Sequence, residues 1–394
     1  MGSLVIDLSV LRTEARVRGI GRYVASLGRA LSAEVARHPG YELLGLSELG
    51  WLGNMTVAHD VDAEVERLMK APILGHTAWA YRVRLRGAHA VHRLDPLLYH
   101  QGHPDATPLG DLRCPRLITA HDLIPLNYPE HYLGWRDGWA PGRLRLDRRR
   151  YHTADHIIAI SEATAADLVR LLGISSRKIS VVPNGVELSR FSPEPAPGDA
   201  EALARHGLTG RAYLLYIGAG DWRKNYDGML RALKIARERA PGLDLTLAWA
   251  ARLDEATQSR AARQAEDAGV GGAVRLLGYV SDADLSALLR SARAQLFVSR
   301  AEGFGYPVVE AMATGCPVIT SDGSSLKEIA EGAALLADPE RPAAIAEAIV
   351  SLANSDAERA RLRALGLQRA QEYTVERMAE RTFEVYTEVI ARGT

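Results

Sequence analysis

The stretch "SRAEGFGYPVVEAMATGCPVITSD", residues 299 to 322, decides how this chain is read. The apolar run before it, 294 to 298, has the composition of a buried strand. Gly303 and Gly305 then supply a flexible loop, and Pro307 suits the first turn of a following helix. Residues 316 to 320 read as the next strand, so the segment is a strand–loop–helix–strand unit of an α/β sheet. Glu302 falls on the loop and Glu310 about one turn into the helix. Open α/β sheets bind ligands at the carboxyl ends of their strands, where loop N–H groups and the positive end of a helix hold anions. A diphosphate is the natural occupant of Gly303, Phe304 and Gly305. Glu302 then reaches the group on the distal phosphate, and Glu310 accepts hydrogen bonds from vicinal ribose hydroxyls. The competing reading has Glu302 capping the helix and Glu310 facing solvent.

Working outward, short β-rich runs alternate with helical patterns along the whole chain, which predicts parallel sheets covered by helices on both faces. Strands are expected near residues 4–10, 43–46, 97–99, 116–120, 157–160 and 179–182. A second set is expected near 212–218, 243–249, 274–277, 294–298, 316–320 and 334–336. The fold class is therefore α/β, with two Rossmann-like doubly wound domains of six strands each. The first spans residues 1–184 and the second 199–371. The prolines at 193, 195 and 197 mark a linker over 185–198. A final amphipathic helix within 372–394 carries a broad apolar stripe and is expected to pack back on the first domain.

Composition narrows the function classes. The 394 residues hold 48 basic and 48 acidic side chains, so nothing advertises a nucleic-acid partner. Two cysteines, Cys114 and Cys316, support neither a disulfide framework nor a metal-binding cysteine cluster. The first residues read as a strand instead of a secretory leader, and no run reaches transmembrane length, so a cytoplasmic location is expected. Eleven of the twelve histidines precede residue 157, among them the pairs His89/His92, His100/His103 and His152/His156. No third and fourth ligand converges on any pair, and they read as solvated, with no metal. The basic run from Arg143 to His152 reads as a solvated helix face. Its alternative is a contact for an anionic acceptor or a membrane, to which the neighbouring Trp135 and Trp139 lend weight.

Five elements in order, "GIGRYVASL", "TAHDLIPLNYPEHY", "IIAISEATAADLV", "ISVVPNGVELSRF" and "LLYIGAGDWRKNYDGMLRAL", join the opening stretch in a pattern covering nearly the whole chain. That pattern resembles the retaining glycosyltransferases of the GT-B fold, family 4, which carry Glu-x7-Glu in this setting. The "GIGRY" and "HDLIPL" variants are similar to bacterial mannosyltransferase-like members that build surface polysaccharides. The resemblance implies two domains facing each other across a cleft, a nucleotide-sugar donor and a glycan or lipid-linked acceptor. GDP-mannose is the preferred donor. It also implies retention of anomeric configuration and no metal or other cofactor, with location in the cytoplasm or at the inner face of the membrane as a peripheral contact.

Site residues follow from the same resemblance. Gly21 is assigned to the donor, and Arg22 and Tyr23 to the acceptor. His121, at the end of a strand, is expected to hold a sugar hydroxyl and ease charge development at the anomeric carbon, with Glu302 beside it. Arg223 and Lys224 offer two cations to the leaving diphosphate. The family usually has Gly-Arg at the preceding strand end, whereas this chain has Gly218-Ala219, so Arg223 is a candidate for the missing cation's task. Val280 and Tyr279 line the base pocket. Ser281 with Asp284, and Ser325 with Glu328, have the spacing of capping boxes. A sugar-nucleotide epimerase, a non-catalytic two-lobed sugar-binding protein and a sugar phosphorylase are the competing classes.

Overall fold

Parallel strands buried on both faces need near-continuous apolar runs, and the two sheets of this protein are built from such runs. The computed structural model describes residues 1–49, 55–133 and 140–393. The chain divides into two units, Met1–Gly185 with Thr374–Thr394, and Val186–Tyr373. In the first, β1 (Gly2–Asp7), β2 (Tyr41–Leu49), β3 (Met55–Ala58), β4 (Leu98–Gln101), β5 (Arg116–Ala120), β6 (His156–Ala159) and β7 (Ile179–Val181) form one sheet. Their order is β3-β2-β1-β4-β5-β6-β7. In the second, β8 (Tyr213–Ile217), β9 (Thr246–Ala250), β10 (Val274–Gly278), β11 (Ala294–Phe297), β12 (Val318–Ser321) and β13 (Leu335–Ala337) lie in the order β10-β9-β8-β11-β12-β13.

The first sheet corrects the six-strand expectation, because β3 joins its edge antiparallel to β2. Four half-buried residues, "MTVA", carry too little periodicity to announce a strand. The first strand also ends earlier than expected. After Asp7 the chain enters short 3-10 turns at Ser9–Arg12 and Glu14–Val17 before the helix Gly19–Val35.

Residues 186–198 do not run as an unattached linker. Phe191 is buried, Ser286 Oγ donates to the Arg190 carbonyl at 2.8 Å, and Arg290 pairs with Asp199 while donating to the Ser192 carbonyl at 3.0 Å. This segment therefore packs against the helix Asp282–Ser291 of the second unit. The final helix, Val375–Gly393, belongs to the first unit. Its Phe383 stacks on His38 with ring centroids 4.2 Å apart, and its Tyr386 hydroxyl meets His100 Nδ1 at 2.6 Å. Among the described residues, no helix is long and apolar enough to cross a membrane.

In each sheet the strand order reverses once, between β1 and β4 and between β8 and β11. At such a switch point the loops leaving adjacent strands diverge to opposite faces and open a crevice at the carboxyl edge. The loops that follow β8 and β11 carry Arg223, Lys224 and Glu302.

Candidate functional site

The switch point of the second sheet brings three charged side chains together. Lys224 Nζ donates to Glu302 Oε1 and Arg223 Nη1 to Glu302 Oε2, each at 2.6 Å. The side chains are 9% exposed for Glu302, 13% for Lys224 and 27% for Arg223, so the carboxylate and its lysine are largely dry. Lys224 Nζ also lies 4.8 Å from the centre of the Phe297 ring. Burial works against ionisation of Glu302, but Lys224 and Arg223 outweigh it and hold the carboxyl below its ordinary range. Burial also pulls Lys224 below the ordinary lysine value, although Glu302 favours its charged form.

The loop that carries the cations is fixed from within. Asp221 caps a 3-10 turn over Trp222–Lys224, accepting from the Arg223 N–H at 3.0 Å. Asn225 then adopts φ +55°, and its buried amide donates to the carbonyls of Val298 (3.0 Å) and Pro339 (2.9 Å). The Arg300 N–H donates to the Arg223 carbonyl at 2.7 Å. Two loops far apart in sequence are thus bonded main chain to main chain, which sets the distance between cations and carboxylate.

Glu302 does not cap the helix Tyr306–Ala313. Gly305, with φ +128°, takes that position, and a Cβ there would meet Leu326 Cδ2 at 2.6 Å. Glu310 is 2% exposed, so the solvent-facing reading of it fails as well. The buried ring of Phe304 packs edge-on against Tyr306 and Tyr373, which leaves its main chain for the ligand expected at this loop. Ser325 corrects another. Gly323 is the N-cap of the helix Ser324–Ala330, and Ser325 Oγ donates to the carbonyls of Glu302 (2.9 Å) and Phe304 (2.5 Å), clamping the loop from below. Ser281 does cap its helix, accepting from the Asp284 N–H at 3.2 Å, while the Asp284 carboxylate turns to Arg205 and His206. At the carboxyl end of β10, Val280 is half-buried, and Tyr279 is exposed with the Arg252 guanidinium 4.7 Å over its ring.

In the first unit, His121 follows β5 and is buried. Its Nε2 donates to the Gly102 carbonyl at 2.8 Å, and burial lowers its pKa. A neutral ring with Nε2 protonated leaves Nδ1 as an acceptor for a hydroxyl. Gly21 is a correction. A Cβ at Gly21 would lie 2.2 Å from Arg16 Cα and 2.4 Å from the Ala15 carbonyl oxygen, so the close approach it permits is to the protein's own backbone. Tyr23 is another. It is fully buried, its hydroxyl 2.9 Å from Thr119 Oγ1 and its ring edge-on to His121, so it supports the histidine instead of meeting an acceptor. Arg22 is half-buried at the start of the same helix.

The solvated reading of the histidine pairs is overturned in part. His100 is completely buried between Tyr386 and Thr119 Oγ1 (2.8 Å), and burial pushes its pKa down to about 3. His156 is buried against Ser180, and His103 packs edge-on to Trp79. His76, His103 and Asp105 come within 4.8 Å of one another, but Asp105 is already paired with Arg150 at 2.8 Å and His103 Nδ1 accepts from the Asp105 N–H. Arg150 and Asp147 are buried partners, so the basic run is not solvated throughout. Trp135, Trp139 and the Arg143 side chain lie outside the described residues. Sequence reasoning missed the roles of Asn225 and Ser325. Ser325 carried a misleading signal, and nothing local marks Asn225, whose partners lie 73 and 114 positions away.

Two family models together match most of the chain. One, described as Glycosyltransferase Family 4, matches residues 17–190, and the other, described as Glycosyl transferases group 1, matches residues 200–369. The chain is 29% identical over 285 residues to O-antigen chain mannosyltransferase B of Escherichia coli, covering 68% of this chain and 69% of that protein. It is 24% identical over 352 residues to the serotype-specific mannosyltransferase WbdA of Escherichia coli, covering 83% of this chain and 41% of that one. The chain thus spans less than half the length of this second relative. The solved structure of Anabaena Alr3699/HepE in complex with UDP and glucose aligns with a TM-score of 0.71, over 98% of this chain and 100% of that one, at 15% identity. At that identity the likeness is one of fold.

Proposed function

The chain belongs to the glycosyltransferases of the GT-B fold, family 4 type, and from that premise we propose that it transfers a hexose from a nucleoside-diphosphate sugar to a glycan or lipid-linked acceptor with retention of configuration. GDP-mannose is the donor we favour, on the likeness to two mannosyltransferases, one of them an O-antigen enzyme. The same likeness supports a role in bacterial surface polysaccharide synthesis, and we propose that it is carried out on the cytoplasmic side.

One observation carries the proposal. A buried carboxylate is held by two cations at the carboxyl edge of a parallel sheet, beside a glycine-rich loop that opens a helix. When the anomeric C–O bond breaks, its electron pair passes to the diphosphate, and positive character grows on the sugar. Arg223, Lys224 and the N–H groups of the Gly303–Gly305 loop meet the negative side; the Glu302 carboxylate meets the positive side. Glu310, buried on the same helix, is the proposed partner of the ribose hydroxyls, and Val280 lies near the base. In the first unit, His121 is proposed to accept a hydrogen bond from a hydroxyl through Nδ1. With two cations in place to take the diphosphate charge, the proposal includes no metal ion.

Thermal unfolding with GDP, UDP and their sugar derivatives tests it. At least one nucleoside diphosphate is expected to raise the melting temperature, with or without chelator. Sugar transfer to an added glycan then separates transfer from epimerisation. A flat response across the whole panel would overturn the assignment.

A further inference from the structure

Four buried polar side chains form a continuous line of hydrogen bonds through the first unit. The Tyr386 hydroxyl meets His100 Nδ1 at 2.6 Å, His100 Nε2 meets Thr119 Oγ1 at 2.8 Å, and Thr119 Oγ1 meets the Tyr23 hydroxyl at 2.9 Å. None of the four residues is more than 1% exposed. The line runs from the final helix, Val375–Gly393, through β4 and β5 to the helix Gly19–Val35.

Strand register explains why these groups meet. His100 of β4 pairs with Leu117 of β5, and Thr119 stands two positions beyond Leu117. Side chains two apart on a strand share a face, so Thr119 projects on the same side of the sheet as His100. The two helices that cover this face bring Tyr23 and Tyr386 to the line from opposite ends of the chain.

The line ends against His121. The Tyr23 ring meets that imidazole edge-on, with centroids 5.0 Å apart. The Gly102 carbonyl, which accepts from His121 Nε2 at 2.8 Å, lies two residues after His100. A Cβ at Gly102 would come within 2.8 Å of Val24 Cγ2, so the residue after Tyr23 presses on the backbone that holds His121. Both supports of the His121 ring, the aromatic edge and the carbonyl, are therefore set by members of the line or their chain neighbours. Packing alone could be served by apolar groups of similar volume, which would make no directional demand. A neutral imidazole, by contrast, donates from one nitrogen and accepts at the other, so His100 fixes how the hydroxyls on its two sides are turned.

We propose that Tyr386 and His100 are positioning residues for His121, the final helix fixing the angle at which its ring presents Nδ1. The inference rests on the proposed contact of His121 with a substrate hydroxyl. Tyr386 is buried and acts through the line, not by touching substrate.

Tyr386→Phe removes one hydroxyl and keeps the ring that packs edge-on to His100. In nitrogen-15 spectra of the imidazoles, the His121 signals, identified by their loss in His121→Asn, are expected to shift in Tyr386→Phe. With GDP-mannose as donor, kcat for GDP release is expected to fall about ten-fold while KM stays within about two-fold. Tyr23→Phe should do the same, and the double variant should be no slower than the slower single one, because both cut the same line. Phe383→Leu, on the same helix but stacked on His38, controls for stability: it should lower the melting temperature and leave both kcat and the His121 signals at parent values. Unmoved His121 signals in Tyr386→Phe overturn the inference, as does an equal loss of kcat in Phe383→Leu. A parent that releases no nucleoside diphosphate from GDP-sugars or UDP-sugars overturns instead the transferase reading, and the His121 signals, which need no substrate, then decide by themselves whether Tyr386 holds the ring.

Discussion

Replacing Glu302 by glutamine separates the carboxylate's charge from its shape. Glu302 is paired with both Lys224 and Arg223 through two bonds of 2.6 Å, at 9% exposure. Removing one partner of a buried ion pair costs about 3–5 kcal/mol. Arg223 is 27% exposed and can turn partly to water, so the lower end applies, and Glu302→Gln should cost about 3 kcal/mol. For a unit the size of Val186–Tyr373 that corresponds to a fall of roughly 6–12 °C in melting temperature. The sign with pH follows from the lowered pKa of Glu302. The stability difference between parent and variant is complete above the ordinary carboxylate range and closes as pH falls through the folded-state value. Nucleotide binding should move the other way. The freed cations no longer share their charge with a carboxylate, so calorimetric titration should show about ten-fold tighter binding of the nucleoside diphosphate, worth about 1.4 kcal/mol. Turnover should fall by roughly 10²–10³ as the positive side of the transition state loses its counter-charge. A variant as stable as the parent, with unchanged nucleotide affinity, would refute the idea that Glu302 is the resting counter-ion of the phosphate-binding cations.

Two further outcomes follow from the geometry. His100 and His103 are buried, and each has a pKa pushed down to about 3. Each should therefore contribute stability that is complete above about pH 6.5 and is lost towards pH 3 at about 1.4 kcal/mol per pH unit. Denaturant unfolding of the parent and of His100→Gln between pH 7 and 4 checks this, the variant showing the shallower slope; a flat parent profile would count against it. Ser325→Ala removes the hydroxyl that bonds the carbonyls of Glu302 and Phe304 and should cost about 1–3 kcal/mol. As a positioning residue it should lower turnover about ten-fold while nucleoside-diphosphate affinity stays within about two-fold. Equal losses in both would mean that the loop itself is the binding surface.

Much of the architecture was legible because it rests on local patterns. Apolar β-rich runs separated by helical periods placed twelve of the thirteen described strands, and Gly305 with Pro307 located the turn into the helix that buries Glu310. The thirteenth, β3, escaped because an edge strand of four half-buried residues has no period to read. Residue type misled where one chemistry serves two ends. Gly21 and Tyr23 looked like ligand contacts, yet the first lies against the protein's own backbone and the second is fully buried.

The sequence by itself determined the α/β class, the carboxyl-edge loops and the residue types that suit a diphosphate, since all of these depend on spacings of one to eight positions. Only the tertiary structure decided that Arg223 and Lys224 close on a carboxylate 79 and 78 positions away. It alone paired His100 with Tyr386 across 286 positions. The reason is physical. Helix and strand periods constrain neighbours in the chain, whereas charge partners are chosen by strand order, which sets side by side whatever loops leave adjacent strands.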